Sequence, residues 1–306
     1  MPKSVKVLQN ADALSWALLL LLSLIWGSSF ILIKKSLVIF GPGEVGALRI
    51  ASAAIALAPI AIRHLSRLSS RHKRLLLLIG FVGSFIPAFL FAKAQTRLDS
   101  SITGILNALT PSFVVVMGAL FFSQKFTRQN ATGLIISFAG SVLLILAGNS
   151  GKLGDINFYA LFVIAATICY GINLNVIKVY LPDLKPVTIT AVSLLFVFPL
   201  ALVFLLGFTS FTEKISQPGG GEALFYVCLL GVVGTSFALI LFNKLVQLTS
   251  PMFTSFVTYL IPIVAVIWGV IDGESLFPVH YLAMATIITG VFIANRRRKK
   301  IISVKQ

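Results

Sequence analysis

A chain of 306 residues that is 58% hydrophobic and only 11% charged lies far from the soluble balance of about 45–50% apolar and about 25% charged residues, which excludes a water-soluble globular protein. The formal net charge of +16 would raise nucleic acid as a partner of a soluble protein. Here the cations gather beside apolar stretches, with Arg63, Arg67, Arg71, Lys73 and Arg74 in one loop and Arg296, Arg297, Arg298, Lys299 and Lys300 near the C-terminus, which is the placement of cytoplasmic membrane anchors and argues for a lipid bilayer and no nucleic acid.

A hydrocarbon layer about 30 Å thick is crossed by roughly 20 helical residues. Ten stretches of that order follow one another, at 14–36, 44–62, 75–95, 100–122, 129–148, 157–180, 187–208, 222–245, 251–271 and 277–295. Each is expected to be helical, because a segment in lipid must satisfy its backbone hydrogen bonds internally. Lys3 and Lys6 before the first apolar run superficially resemble a signal peptide. The run continues through Trp26 to Ile33 with no evident small-residue cleavage site, so a retained first span is expected. Arg49 lies about two turns into the second span. Ser84 falls near the middle of the third, and Thr103, Asn107 and Thr110 form a stripe on the fourth, just before Pro111. Tyr170 and Asn173 lie on the sixth span, Thr235 on the eighth, and Thr254, Thr258 and Pro262 on the ninth. Cys169 and Cys228 sit inside apolar stretches, where a thiol is ordinarily a packing residue.

Orientation follows from the lysines and arginines. With the N-terminus inside, the inside segments hold Lys3, Lys6, the five-residue cluster, Lys125, Arg128, Lys178, Lys185, Lys244 and the basic tail. The outside segments hold Lys34, Lys35, Lys93, Arg97, Lys152 and Lys214. This asymmetry predicts both termini in the cytoplasm of a multi-pass protein of the cytoplasmic membrane.

An internal repeat carries more information than any single residue. A shift of 144 lays Trp26-Gly27 on Tyr170-Gly171, Lys34 on Lys178 and Pro42 on Pro186. A shift of 151 lays Gly80 and Gly83 on Gly231 and Gly234, Ser84 on Thr235, Lys93 on Lys244 and Pro111 on Pro262. The added length fits the Gly-rich loop at Pro218-Gly219-Gly220-Gly221. Two halves, 1–150 and 151–306, each with an odd number of spans, must enter the membrane from opposite sides. The expected fold is therefore an all-α integral membrane protein with ten transmembrane helices as two inverted five-helix repeats. Such repeats place a binding site between the halves near the bilayer midplane and permit alternating access.

The repeat and its motifs resemble the EamA-type branch of the drug/metabolite transporter superfamily along nearly the whole chain. The marks are Ile25-Trp26-Gly27-Ser28-Ser29-Phe30, Leu48-Arg49 and Leu109-Thr110-Pro111 in the first half, and Tyr170-Gly171, Ile261-Pro262 and Gly273-Glu274 in the second. Two positions depart from the family pattern: Tyr170 stands where a tryptophan is usual, and Gln124 where an acid follows the fourth span. The resemblance implies a secondary transporter, in the exporting direction, for an amino acid or similar small polar metabolite.

Intramembrane ionisable groups are costly and mark function. All nine acids, Asp12, Glu44, Asp99, Asp155, Asp183, Glu213, Glu222, Asp272 and Glu274, lie in loops or near span ends. A buried-glutamate proton antiporter therefore has no counterpart here, and any proton coupling would fall to Glu44 or Glu274. Lys34, Lys178, Lys93 and Lys244 either steer a carboxylate-bearing solute toward the mouths or snorkel to headgroups. Arg49 either contacts substrate or meets a structural partner such as a helix-end carbonyl or Glu44. Trp26, Ser29 and Ile33 share one helical face, as do Tyr170, Asn173 and Ile177. These residues, with Ser84, Thr103, Asn107, Thr235, Thr254 and Thr258, are the candidate pocket; the competing role for the hydroxyls is hydrogen bonding between helices. Pro111 and Pro262 are candidate bends for gating. No Ser/His/Asp grouping, metal-ligand cluster or phosphate loop supports an enzyme, and no cofactor is implied. A channel or receptor-like component is the remaining alternative.

Overall fold

The computed structural model describes residues 13–248 and 251–295, and every regular element among them is helical. Eight helices are long and apolar enough to cross a membrane. They are α1 (Ala13–Ser36), α2 (Pro42–Leu65), α3 (Ser70–Ala94), α4 (Ser100–Phe121), α5 (Arg128–Ala147), α6 (Ala160–Tyr180), α7 (Pro186–Gly207) and α8, which begins with Gly220–Phe242 and extends to Leu248. The helices α9 (Pro251–Ile271) and α10 (Pro278–Asn295) follow. Their described apolar stretches, Val257–Ile271 and Pro278–Ala294, are shorter.

Local chemistry sets the ends. Thr127 caps α5 in a reciprocal box: its hydroxyl accepts from the Asn130 amide at 3.2 Å, and its own amide donates to Asn130 Oδ1 at 2.8 Å. Prolines 42, 186 and 278 open α2, α7 and α10, where a missing N–H costs nothing. Ser69 accepts from the His72 amide and starts α3 at Ser70, five residues before the hydropathy boundary at 75. The first turns carry Arg71, Lys73 and Arg74, which hydropathy rejects but an interfacial helix end accommodates. A helical turn at Phe211–Lys214 interrupts the loop before α8 and was not anticipated.

The helices pack in a regular pattern. α5 lies along α10, and α2 along α7. α1 packs on α9, and α4 packs on α6; α6 also receives the second half of α3, as α1 receives α8. Glycines permit these approaches by exposing bare backbone. A methyl on Gly80 would lie 2.5 Å from the Ser193 carbonyl oxygen, and one on Gly231 2.6 Å from that of Arg49. Gly27 meets Val264 and the Ile261 carbonyl, while Gly171 meets the backbone of Phe113. The opposite faces carry Leu20, Leu24, Ile55, Ile62, Ile135 and Leu282, all exposed. So much contiguous exposed hydrocarbon belongs to a lipid-facing surface.

Three helices are irregular in their middles. α3 widens into a π-helical segment at Phe81–Phe85, and α8 does the same at Val232–Phe237. α4 breaks at 108–109, where Ala108 and Leu109 donate to the carbonyls of Ile105 and Leu106 in tighter turns before Thr110-Pro111 resumes the helix. The proline lacks the N–H that an uninterrupted helix needs there. Pro262, by contrast, sits buried inside a continuous α9.

Gly133 on α5 lies against the backbone of Gly290 and Ala294 on α10. Replacing it by valine should separate the two helices and lower stability by about 1–3 kcal/mol, read as a lower melting temperature of the purified protein in detergent.

Candidate functional site

The three irregular segments converge on one place. A cavity of about 260 Å³ lies among α1, α2, α3, α4, α6, α8 and α9. Most of its wall consists of residues related by the two shifts of the internal repeat. Trp26 and Tyr170, Ser29 and Asn173, and Phe30 and Leu174 are related by 144. Gly83 and Gly234, Ser84 and Thr235, Phe91 and Phe242, Asn107 and Thr258, and Thr110 and Ile261 are related by 151. The contacts repeat as well. Trp26 packs on Phe242 with ring centroids 5.2 Å apart, and Tyr170 on Phe91 at 6.0 Å. A methyl on Gly83 would strike the Asn173 amide, and one on Gly234 would lie 3.2 Å from Ser29 Oγ.

The hydrogen bonds sort the polar wall into occupied and open groups. Ser29 donates to the Ile25 carbonyl at 3.1 Å and Thr110 to the Asn107 carbonyl at 2.8 Å. The Trp26 indole donates to the Gly234 carbonyl at 3.0 Å, inside the π-helical segment. Thr235 accepts from Arg49 Nε at 3.3 Å and donates to the Leu230 carbonyl at 3.4 Å. Ser84, Asn173 and Thr258 line the cavity and make no such bond among the described residues. Phe91 and Phe242 were not singled out from sequence, although the 151-residue shift places one on the other.

Other candidate residues lie elsewhere. Thr103 is buried and donates to the Asp99 carbonyl at 2.9 Å, away from the cavity wall. The Thr254 side chain lies outside the described residues. Lys93 is exposed, with its ammonium 5.8 Å from the Tyr159 ring centroid. Lys178 and Lys244 are exposed as well. Glu44 does not meet Arg49: its carboxylate receives Lys214 at 2.7 Å and the Gly41 amide at 2.5 Å.

Lys34 belongs to a charged cluster at one end of the bundle. Its ammonium reaches Glu274 at 2.8 Å and Asp272 at 2.7 Å, and Lys35 also pairs with Asp272. Glu274, only 2% exposed, caps the start of α4. It accepts from the Ser100 amide and hydroxyl at 2.9 and 2.7 Å, and from those of Ser101 at 3.0 and 2.5 Å. A carboxylate at a helix N-terminus satisfies orphan amides and complements the dipole. Burial alone would raise the Glu274 carboxyl, but the hydrogen bonds from Lys34, Ser101 and Ser100 outweigh it and hold the group below its ordinary value. Neighbouring Asp99 is pushed up to about 6 by burial and then by the Glu274 charge, with Lys34 opposing. At the other end of α4, Gln124 donates to Asn175 Oδ1 at 2.8 Å, so two amides meet where an acid is usual.

The EamA-like transporter family profile matches twice, at residues 14–146 and 157–296. The chain belongs to the EamA-like transporter family. It is thus a multi-pass membrane protein of a transporter family. An uncharacterized transporter from Archaeoglobus fulgidus is 23% identical over 286 residues, covering 92% of this chain and 99% of that one. A "probable terminal-alkyne amino-acid exporter" from Streptantibioticus cattleyicolor is 23% identical over 294 residues, covering 92% and 93%. The uncharacterized inner membrane transporter YedA of Escherichia coli is 23% identical over 280 residues, covering 90% and 88%. A solved crystal structure with 16% identity aligns over 92% of this chain and 96% of its own, with a TM-score of 0.59, a likeness of fold.

Asp99 binds its proton more readily folded than unfolded, so its contribution to stability declines as pH rises from its ordinary 3.8 through about 6. Between about pH 5 and about pH 7, where Glu274 stays ionised, D99N should flatten that decline and melt above the wild type at the neutral end. Melting curves of both proteins across the range check this.

Proposed function

We propose that this chain is a secondary carrier that exports an amino acid or similar small polar metabolite across the cytoplasmic membrane by alternating access. In this reading ten helices cross the bilayer as two inverted halves, 1–150 and 151–306, with both termini in the cytoplasm. The observation that carries it is the wall of the cavity, in which residues of the first half face their counterparts from the second. The packing supports the same relation: α1 on α9 corresponds to α6 on α4, and α8 on α1 to α3 on α6. So do the reciprocal glycine contacts, since Gly80 meets Ser193 while Gly231 meets Arg49, and 49 and 193 differ by the same 144. A site shared by two inverted halves is reached from either side when one half rocks against the other.

The direction and solute draw support from the relative named as an amino-acid exporter, and the orientation from the lysine and arginine asymmetry. Ser84, Asn173 and Thr258 present open polar groups to the solute, together with Asn107 beside Thr110. Trp26 and Tyr170 form the aromatic walls. The broken turn before Pro111 supplies a bend, while its repeat counterpart Pro262 stays within a continuous α9, and Lys93, Lys178 and Lys244 steer anions toward the mouths.

Counterflow in proteoliposomes tests the carrier. Vesicles preloaded with unlabelled solute should accelerate uptake of the labelled form, whereas a channel gives no acceleration. N173A and N107A should each slow counterflow about tenfold, a loss of roughly 1.4 kcal/mol at the barrier, with membrane abundance intact. Unchanged rates in both variants would remove the two amides from the pocket.

A further inference from the structure

Arg49 stands apart from the rest of the cavity. Among the described residues it is the one cation on the wall; it comes from α2, and its counterpart in the second half is the neutral Ser193. Of the acids, Glu44, Asp99, Asp155, Asp183, Glu213, Glu222, Asp272 and Glu274 are all among the described residues, and none lines the cavity or pairs with Arg49. Its guanidinium is held by Thr235 through Nε at 3.3 Å and faces the Tyr170 hydroxyl. Both partners are neutral, so a positive charge sits deep in a transmembrane helix without a counter-ion among the described residues. Such a charge is expensive in this setting and calls for a partner.

We propose that the partner is the solute itself: Arg49 anchors the carboxylate of an apolar or aromatic amino acid whose side chain lies along Trp26, Phe91, Tyr170 and Phe242. The proposal rests on the carrier reading and narrows its substrate class. Guanidinium matches a carboxylate with two parallel N–H donors, and the Nε–Thr235 bond fixes the orientation of that fork. A single arginine beside neutral groups balances one negative charge. The open amide of Asn173 supplies a carbonyl oxygen that accepts from the ammonium group. The cavity, at about 260 Å³, falls just below the range of about 300–1,000 Å³ usual for drug-sized ligands, which suits a small metabolite. Because the counterpart of Arg49 is the uncharged Ser193, the solute binds in one orientation although the wall around it is paired.

The test compares each acid with its own amide. Purified protein in detergent is titrated with L-leucine, L-methionine and L-phenylalanine, and separately with the three corresponding carboxamides, while the melting temperature is followed. In the wild type at least one acid should raise it, with the amide requiring a concentration about tenfold higher or more. R49Q should abolish the difference between acid and amide, and R49K, which keeps the charge without the planar fork, should retain part of it. Acids that act no better than their amides on the wild type, or no stabilisation by any of the three acids, would overturn the proposal. So would an R49Q protein that is monodisperse on gel filtration and keeps the preference for the acid. The wild-type comparison stands even if R49Q fails to fold. Counterflow of the amides with no preference for the acids would overturn the anchor while leaving the carrier intact; counterflow of none of the six compounds, beside preserved acid binding, would do the reverse.

Discussion

Hydrocarbon offers no hydrogen bonds, and the architecture follows from that refusal. A helix in lipid keeps its backbone bonds to itself, and any interruption must be covered by protein or open onto a polar space. The interruptions here obey that condition together. The π-helical segments of α3 and α8 and the broken turn of α4 all border the central cavity, through Gly83, Ser84, Gly234, Thr235, Asn107 and Thr110. π-helical bulges occur frequently at functional sites. In this protein each one displaces a glycine toward the opposing half and leaves a polar side chain at the wall, and one of them also exposes the carbonyl that the Trp26 indole takes. Irregular backbone and candidate site are one feature seen at two levels.

Charge is distributed by the same rule. The carboxylates of Glu44, Asp272 and Glu274 sit at helix ends, each facing a lysine. Near mid-bundle the described wall is apolar and neutral-polar, apart from Arg49. The contrast separates two kinds of cation. Lys34 is engaged by two acids in tertiary structure, whereas Arg49 bonds to the Thr235 hydroxyl and pairs with no acid among the described residues.

Much of this was legible before the fold was seen. Hydropathy alone located the helices, since long apolar runs leave few alternatives, and the 144 and 151 shifts brought Trp26, Ser29 and Ser84 into register with Tyr170, Asn173 and Thr235, all of which border the cavity. The misses have physical causes. Phe91 and Phe242 are two of 25 phenylalanines in a chain where any span is expected to carry some, so only their register distinguishes them. A π-helical bulge leaves no hydropathy signature. The Lys34 partners are some 240 residues away and the Glu274 seat on α4 some 174, distances at which sequence spacing says nothing of contact. Thr103 shares a stripe with Asn107, yet its hydroxyl turns back to its own helix, as threonine commonly does.

The two extremities of α4 are fastened by unlike materials. One is stitched by full charges, with Lys34, Lys35, Asp272 and Glu274 meeting around two serines; the other is closed by a pair of carboxamides, Gln124 and Asn175. Dissolved electrolyte weakens attractions between partly exposed ions and scarcely touches neutral dipoles. Brine therefore bears on this one helix unevenly: at the charged extremity it has an outlying ion to screen, Lys35 being 43% exposed, and in the carboxamide pair it finds no charge at all.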